Sequence, residues 1–252
     1  MDCFDLKDRV AFITGAAGAG IGRATAELML ASGARVAITD IGASRTPRVT
    51  AELQQRYGDS VAGWSLDVRD RDRSTEVLNE AVARFGPIDI LVNNAGINVL
   101  GDVQDVTPAE WDDVIAVNLS APWFLARSVL PSMRERRTGV IVNVGSVAAY
   151  SSDALARGPY AASKAGLESL TRTIAGDVGR FGVRAVGVNP GIVDTPWMKE
   201  RIDSVQLKDA PVLGRLAGPT EIANVIVFLA SDAASYITGE TVTVGGGFKM
   251  RP

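Results

Sequence analysis

Short apolar runs alternate along this chain with longer segments in which apolar residues recur at helical spacing. Val10–Thr14, Arg35–Thr39, Val61–Leu66, Ile88–Asn93, Val140–Val144, Val183–Val188 and Thr241–Val244 are too short for helices and rich in β-branched residues, so they predict strands. Runs apolar throughout belong to strands covered on both faces, the habit of parallel sheets. Helix starts lie between them. Thr107-Pro108-Ala109-Glu110 is a capping box with proline at the first helical position, and Gly218-Pro219-Thr220-Glu221 opens another helix by similar logic. Strict alternation of strand and helix predicts an α/β fold: one doubly wound domain over residues 1–252, a parallel sheet of about seven strands with helices on both faces. Gly191–Leu216 lacks clear periodicity, is long for an ordinary loop and follows the carboxyl end of a strand, where such sheets bind ligands. It is therefore expected to form part of a lid.

The turn after the first strand, Thr14-Gly15-Ala16-Ala17-Gly18-Ala19-Gly20-Ile21-Gly22, runs into a predicted helix, which is the context a dinucleotide-binding fingerprint requires. Small residues let the backbone approach a pyrophosphate, and the helix amino terminus favours its charge. The next strand ends in Asp40, at the interval of about 20 residues where a carboxylate meets the adenosine ribose hydroxyls and repels a 2′-phosphate. These features predict a Rossmann-type sheet with NAD as cofactor. NADP is the lesser alternative, kept open because Arg45 and Arg48 follow closely.

The 252 residues, 46% of them hydrophobic, suffice for one large core. Histidine is absent and Cys3 is the single cysteine, which excludes Ser-His-Asp and Cys-His catalysis and the usual His or Cys zinc sites. Acid–base work then falls to Tyr, Lys, Asp or Glu, and no metal is expected. Tyr160 and Lys164 stand four apart in Tyr-Ala-Ala-Ser-Lys, so a helix puts them on one face. A free phenol, with a pKa of about 10, is a poor base at neutral pH. An ammonium about 4 Å away at an effective dielectric of about 20 contributes roughly 4 kcal/mol, so Lys164 is expected to lower the phenol by about three pKa units.

The net charge of −3 and the lack of a long basic run argue against nucleic acid as a partner. Arg134–Arg137 reads as a solvated helix end. Met1–Asp8 has three acidic residues and no apolar run, unlike a secretory signal, and no stretch approaches the roughly 20 apolar residues of a membrane span. One thiol suits a reducing compartment. The expectation is a soluble cytoplasmic protein that does not engage membranes.

Taken in order, the glycine turn, Asp67, Asn93-Asn94-Ala95-Gly96, Asn118, Ser146, Tyr160 with Lys164, and Pro190-Gly191-Ile192-Val193-Asp194-Thr195 resemble the short-chain dehydrogenase/reductase family over essentially the whole chain. The resemblance implies that Tyr160 is the general acid/base, that Ser146 holds the substrate oxygen, and that Lys164 lowers the phenol pKa and binds the nicotinamide ribose. It implies that Asn118 holds a water linking Lys164 to solvent. It also implies cofactor contacts at Gly15, Gly18, Gly20, Ile21, Asp40, Asp67, Val68, Asn94, Ala95, Gly96, Pro190, Gly191, Ile192 and Thr195, besides Tyr160 and Lys164. The implied activity is hydride transfer between NAD and a secondary alcohol or ketone. An NADPH-dependent acyl-carrier ketoreductase is the alternative, and a non-catalytic dinucleotide sensor a more distant one.

Two departures from the family pattern stand out. Gly15 and Gly20 enclose four residues where three are usual, so Gly18 or Ala19 is expected to bulge outward; Gly145 replaces a frequent serine before Ser146, a change expected to be tolerated. Asn98, Val147, Ala148, Arg157, Trp197 and Met198 are candidate substrate contacts. The resemblance further implies a homotetramer built from long helices, one of them carrying Trp123, Phe124 and Leu125, and from the last strand with its tail Gly245–Pro252.

Overall fold

A computed structural model describes residues 4–151, 158–196, 198–199 and 211–250. Seven parallel strands form one sheet: β1 (Val10–Thr14), β2 (Arg35–Asp40), β3 (Val61–Ser65), β4 (Ile90–Asn93), β5 (Gly139–Val144), β6 (Val183–Pro190) and β7 (Thr241–Val244). Their spatial order is β3-β2-β1-β4-β5-β6-β7. The chain direction across the sheet reverses between β1 and β4, the switch point where a doubly wound sheet opens a crevice. Five of the fourteen strand ends differ from the sequence reading, by one or two residues each; β6 runs on to Pro190 because Asn189 and Pro190 stay in register with Thr243 and Val244.

Alternation of side chains across the pleat sorts the apolar residues into two layers. Ala11, Ile13, Ile90 and Val92 join the helices α1 (Ile21–Ala31), α2 (Arg45–Tyr57) and α7 (Pro219–Ala230) on one face. Phe12, Leu91 and Ile141 join α3 (Arg71–Phe85), α5 (Ala121–Arg136) and α6 (Gly158–Val178) on the other. The edge strands depart from the expected two-sided burial. Most β3 and β7 residues are only half-buried, since each strand has a single neighbour.

Helix α4 (Pro108–Ile115) opens with the expected capping box: Glu110 N donates to Thr107 Oγ1 and Thr107 N donates to Glu110 Oε2. At α7 only the carboxylate arm exists, Gly218 N donating to Glu221 Oε2 at 2.8 Å, because glycine has no side chain to return the bond. A π-turn, Ala116–Ser120, fuses α4 to α5. The resulting run Pro108–Arg136 has the length and an 18-residue window of the composition of a membrane-crossing helix, although charged residues interrupt it, so it is not an unbroken apolar stretch. In this fold its apolar side is spent on the core, with Leu125, Ala126, Val129 and Met133 buried.

Candidate active site

The turn after β1 is built by two glycines that tolerate no side chain. Gly15 has φ +66, and a Cβ on Gly22 would lie 2.4 Å from Gly15 O. Ala16 N still donates to Thr39 O and Ala17 N to Asp40 Oδ2, so both alanines stay buried beside β2. The extra residue is absorbed beyond them, where Ala19 is exposed. Nothing lies within 4 Å of a Cβ on Gly18, and only Thr195 Cγ2, at 3.8 Å, near one on Gly20. Thr14, absent from the sequence-predicted set, ties this turn to β4: its Oγ1 accepts from Asn94 N and Ala95 N, both at 3.0 Å. Its place immediately before Gly15 was the available signal.

A cavity of about 550 Å³ opens over this turn, at the amino terminus of α1. The predicted cofactor residues Gly15, Gly18, Gly20 and Ile21 line one side, and Asp40, Asp67, Val68, Asn94, Ala95 and Gly96 the other. Asp40 is 6% exposed and both of its carboxylate oxygens already accept: Oδ2 from Ala17 N, and Oδ1 from Gly42 N and Arg45. Arg45 also lines the cavity rim. Asp67 is held below the ordinary carboxylate range by hydrogen bonds from the Arg69 guanidinium and, to a lesser degree, its backbone amide.

A second cavity, of about 420 Å³, adjoins the first, the two sharing Ile21, Asn94, Gly96, Ile97 and Thr195. It gathers Ser146, Tyr160, Lys164, Pro190, Gly191 and Ile192. Ser146 follows β5 in extended conformation and its Oγ accepts from Ala148 N at 3.1 Å. Tyr160 and Lys164 come from the first turns of α6 and share one face, the Lys164 Nζ lying 5.7 Å from the centre of the Tyr160 ring. Lys164 is buried and donates to Val144 O at 2.8 Å. Asn118, within the π-turn, reaches across: Oδ1 accepts from Ile97 N, while Nδ2 donates to Ile97 O and Ser163 Oγ. It thereby clamps the loop after β4 to α6.

The electrostatics differ from the expectation of a phenol lowered by its ammonium neighbour. Burial pushes the Tyr160 phenol up, a hydrogen bond with Ser146 only partly offsetting it. Burial likewise lowers Lys164 to about 8. The reason is that Nζ is turned onto the Val144 carbonyl and must itself be desolvated, which weighs more than its attraction for a phenolate.

Of the candidate substrate contacts, Asn98, Val147 and Met198 line the second cavity, whereas Ala148 is buried and is not part of its lining. Arg157 and Trp197 lie outside the described residues, as does much of the expected lid. The two ends of that segment are joined by a bridge between Val193 and Ala217. Phe248, which the sequence reading did not single out, also lines this cavity. Among the described residues no group of three or more His, Cys, Asp or Glu could hold a metal ion.

Residues 15–249 match a family model described as Enoyl-(Acyl carrier protein) reductase. The 3-oxoacyl-[acyl-carrier-protein] reductase FabG of Salmonella typhimurium is 38% identical over 247 residues, 97% of this chain and 98% of that protein. An uncharacterized short-chain type dehydrogenase/reductase, y4mP, of Sinorhizobium fredii is 36% identical over 248 residues, 96% and 98% of the two chains. The crystal structure of gox2181 superposes with a TM-score of 0.93 at 32% identity, covering 98% of this chain and 97% of its own. The shared sheet order, the glycine turn and the Ser146, Tyr160 and Lys164 cluster agree with those similarities, and the chain belongs to the short-chain dehydrogenase/reductase family of oxidoreductases.

Proposed function

We propose that the protein interconverts a ketone and a secondary alcohol, with Tyr160 exchanging the proton at the substrate oxygen. The observation that carries this reading is the convergence of Ser146, Tyr160 and Lys164 on one cavity that is continuous with the cavity over the glycine turn. The fit to a dinucleotide rests on open backbone at Gly18 and Gly20, the free amino terminus of α1 and a cavity of suitable size for a small-molecule site. A bound nicotinamide supplies or accepts the hydride.

The rest belongs to the chain's own residues. Ser146 O–H donates to the substrate oxygen and fixes it beside the phenol. Burial holds the Tyr160 phenol above its ordinary range, which favours the neutral form that donates a proton to a carbonyl oxygen in ketone reduction. In this reading Lys164, lowered to about 8, restores the phenol proton, and Asn118, bonded to Ser163 beside it in the chain, holds the solvent link behind it. NAD is the proposed cofactor, from the Asp40 carboxylate; equal turnover with NADP at equal concentration would sink that choice. A homotetramer in the cytoplasm completes the proposal.

The test is reduction of ketones with NADH at pH 7 and oxidation of secondary alcohols at alkaline pH, in wild type and Tyr160→Phe. Turnover in Tyr160→Phe should fall by about 10²- to 10⁴-fold with cofactor affinity retained. Wild-type rates in that variant would assign the proton elsewhere. A second reading, reduction of a 3-oxoacyl thioester on an acyl carrier, is favoured by the relatives named for that reaction. Faster turnover of an acyl-carrier thioester than of any free ketone would decide for it.

A further inference from the structure

Phe248 belongs to neither layer of the sheet core. It is 4% exposed, yet it is buried with Val147 and Ile192 in a small third cluster, against which Met198 packs. A satellite cluster of this kind does nothing to close the sheet. All four residues instead line the 420 Å³ cavity that holds Ser146, Tyr160 and Lys164. The backbone delivers the ring there deliberately: Gly246 and Gly247, at φ +58 and +80, turn the chain back after β7, and Phe248 N donates to Gly245 O at 2.9 Å. Leu213 N, donating to Gly246 O, ties the turn to the neighbouring segment, and a Cβ on Gly247 would lie 2.6 Å from Val212 Cβ. The ring therefore faces Val147, the neighbour of Ser146, from a braced position.

Charge narrows the occupant further. Among the described residues lining this cavity, Lys164 is the one charged side chain, and it is committed to the Val144 carbonyl. The described walls therefore offer a carboxylate or phosphate beside the reacting carbon no cation beyond that one ammonium.

We infer that Phe248 is the end wall of the substrate pocket and fixes its occupant as an uncharged ketone or secondary alcohol bearing a compact apolar group against the ring. The inference rests on the proposed ketone–alcohol chemistry and adds the substrate class and the residue that sets it.

The experiment measures kcat/KM for methyl ketones whose second substituent grows from ethyl to phenyl to naphthyl, with pyruvate as a small anionic probe, in wild type, Phe248→Ala and Phe248→Leu. Phe248→Ala should move the ratio of naphthyl to ethyl ketone by about tenfold or more toward the larger substrate. Phe248→Leu, which keeps an apolar filler and guards against misfolding, should move it less in the same direction. The pH profile of kcat should stay unchanged, and pyruvate should remain the poorest substrate throughout. An active wild type whose size ratio shifts less than about twofold in both variants, or which reduces pyruvate as well as the ketones, overturns this inference alone. A wild type that reduces no ketone overturns it together with the functional reading.

Discussion

Gly145 shows how one residue's identity is set by another that is distant in sequence. A Cβ at this position would lie 2.1 Å from Asn189 Oδ1. The Asn189 side chain is wholly buried and its Nδ2 donates to Glu168 Oε1. The sequence reading treated glycine here as a tolerated departure, but the amide of Asn189 fills the space a serine side chain would take. Gly145→Ser should therefore destabilise the protein by about 2 kcal/mol in urea unfolding. Adding Asn189→Ala should return about 1 kcal/mol of that loss through the pair's coupling; strictly additive effects would contradict the account. Lys164 carries a second prediction. Its folded pKa of about 8 lies below the unfolded value of about 10.4. Below pH 8 both states are charged and the fold bears the desolvation cost; between pH 8 and 10.4 the unfolded state binds more protons, so stability rises with pH. Lys164→Met, losing one hydrogen bond but no longer burying a charge, should be more stable than wild type by on the order of 2 kcal/mol at pH 7 without cofactor. That advantage should vanish toward pH 10.5, and a less stable variant at pH 7 would refute it. Which residues converge was legible from motif spacing. The direction of the phenol shift was not, because it depends on where Nζ points and how dry the site is.

At the scale of elements, strands announced themselves through short β-branched runs, and α4 through a local capping box. The π-turn at Ala116–Ser120 was invisible, since it changes a hydrogen-bond ladder without changing the apolar spacing on either side. The junction of β2 with α2 was half legible. Asp40 marked the strand end, but its pairing with Arg45 follows from the tight turn at Gly42, whose Cβ position lies 3.1 Å from Arg45 Cβ. This pairing tempers the proposed NAD preference, because it sets a guanidinium beside Asp40 at the cavity, the kind of cation that a 2′-phosphate needs. Arg45→Ala should raise the ratio of kcat/KM for NAD over NADP by roughly fivefold, the worth of a partly exposed ion pair of about 1 kcal/mol. An unchanged or inverted ratio would remove Arg45 from cofactor selection.

For the whole molecule, alternation of side chains across seven parallel strands accounts for both core layers, and this much could be read from the chain alone. Apolar surface left outside those layers could not be interpreted that way, because sequence does not separate a residue packed within the chain from one awaiting a second copy. Trp123, expected to serve either purpose, is 44% exposed on α5, and Trp111 on α4 is 43% exposed. The Arg71 guanidinium lies 5.8 Å from the Trp123 ring and 5.7 Å from that of Phe124, so the aromatic surface carries a cation along its border. At the far edge of the sheet, β7 has one neighbour and mostly half-buried side chains. Large half-exposed aromatics on one helical run and an open strand edge on another side give two separate surfaces, the number that the proposed tetramer, with two kinds of contact, requires. Light scattering should therefore report four times the chain mass at micromolar concentration. Trp123→Glu, which puts a charge into the helical contact alone, should reduce that to twice the chain mass while the β7 contact persists. A monomer in the wild type would remove the tetramer; a tetramer persisting in Trp123→Glu would move the helical contact away from this residue.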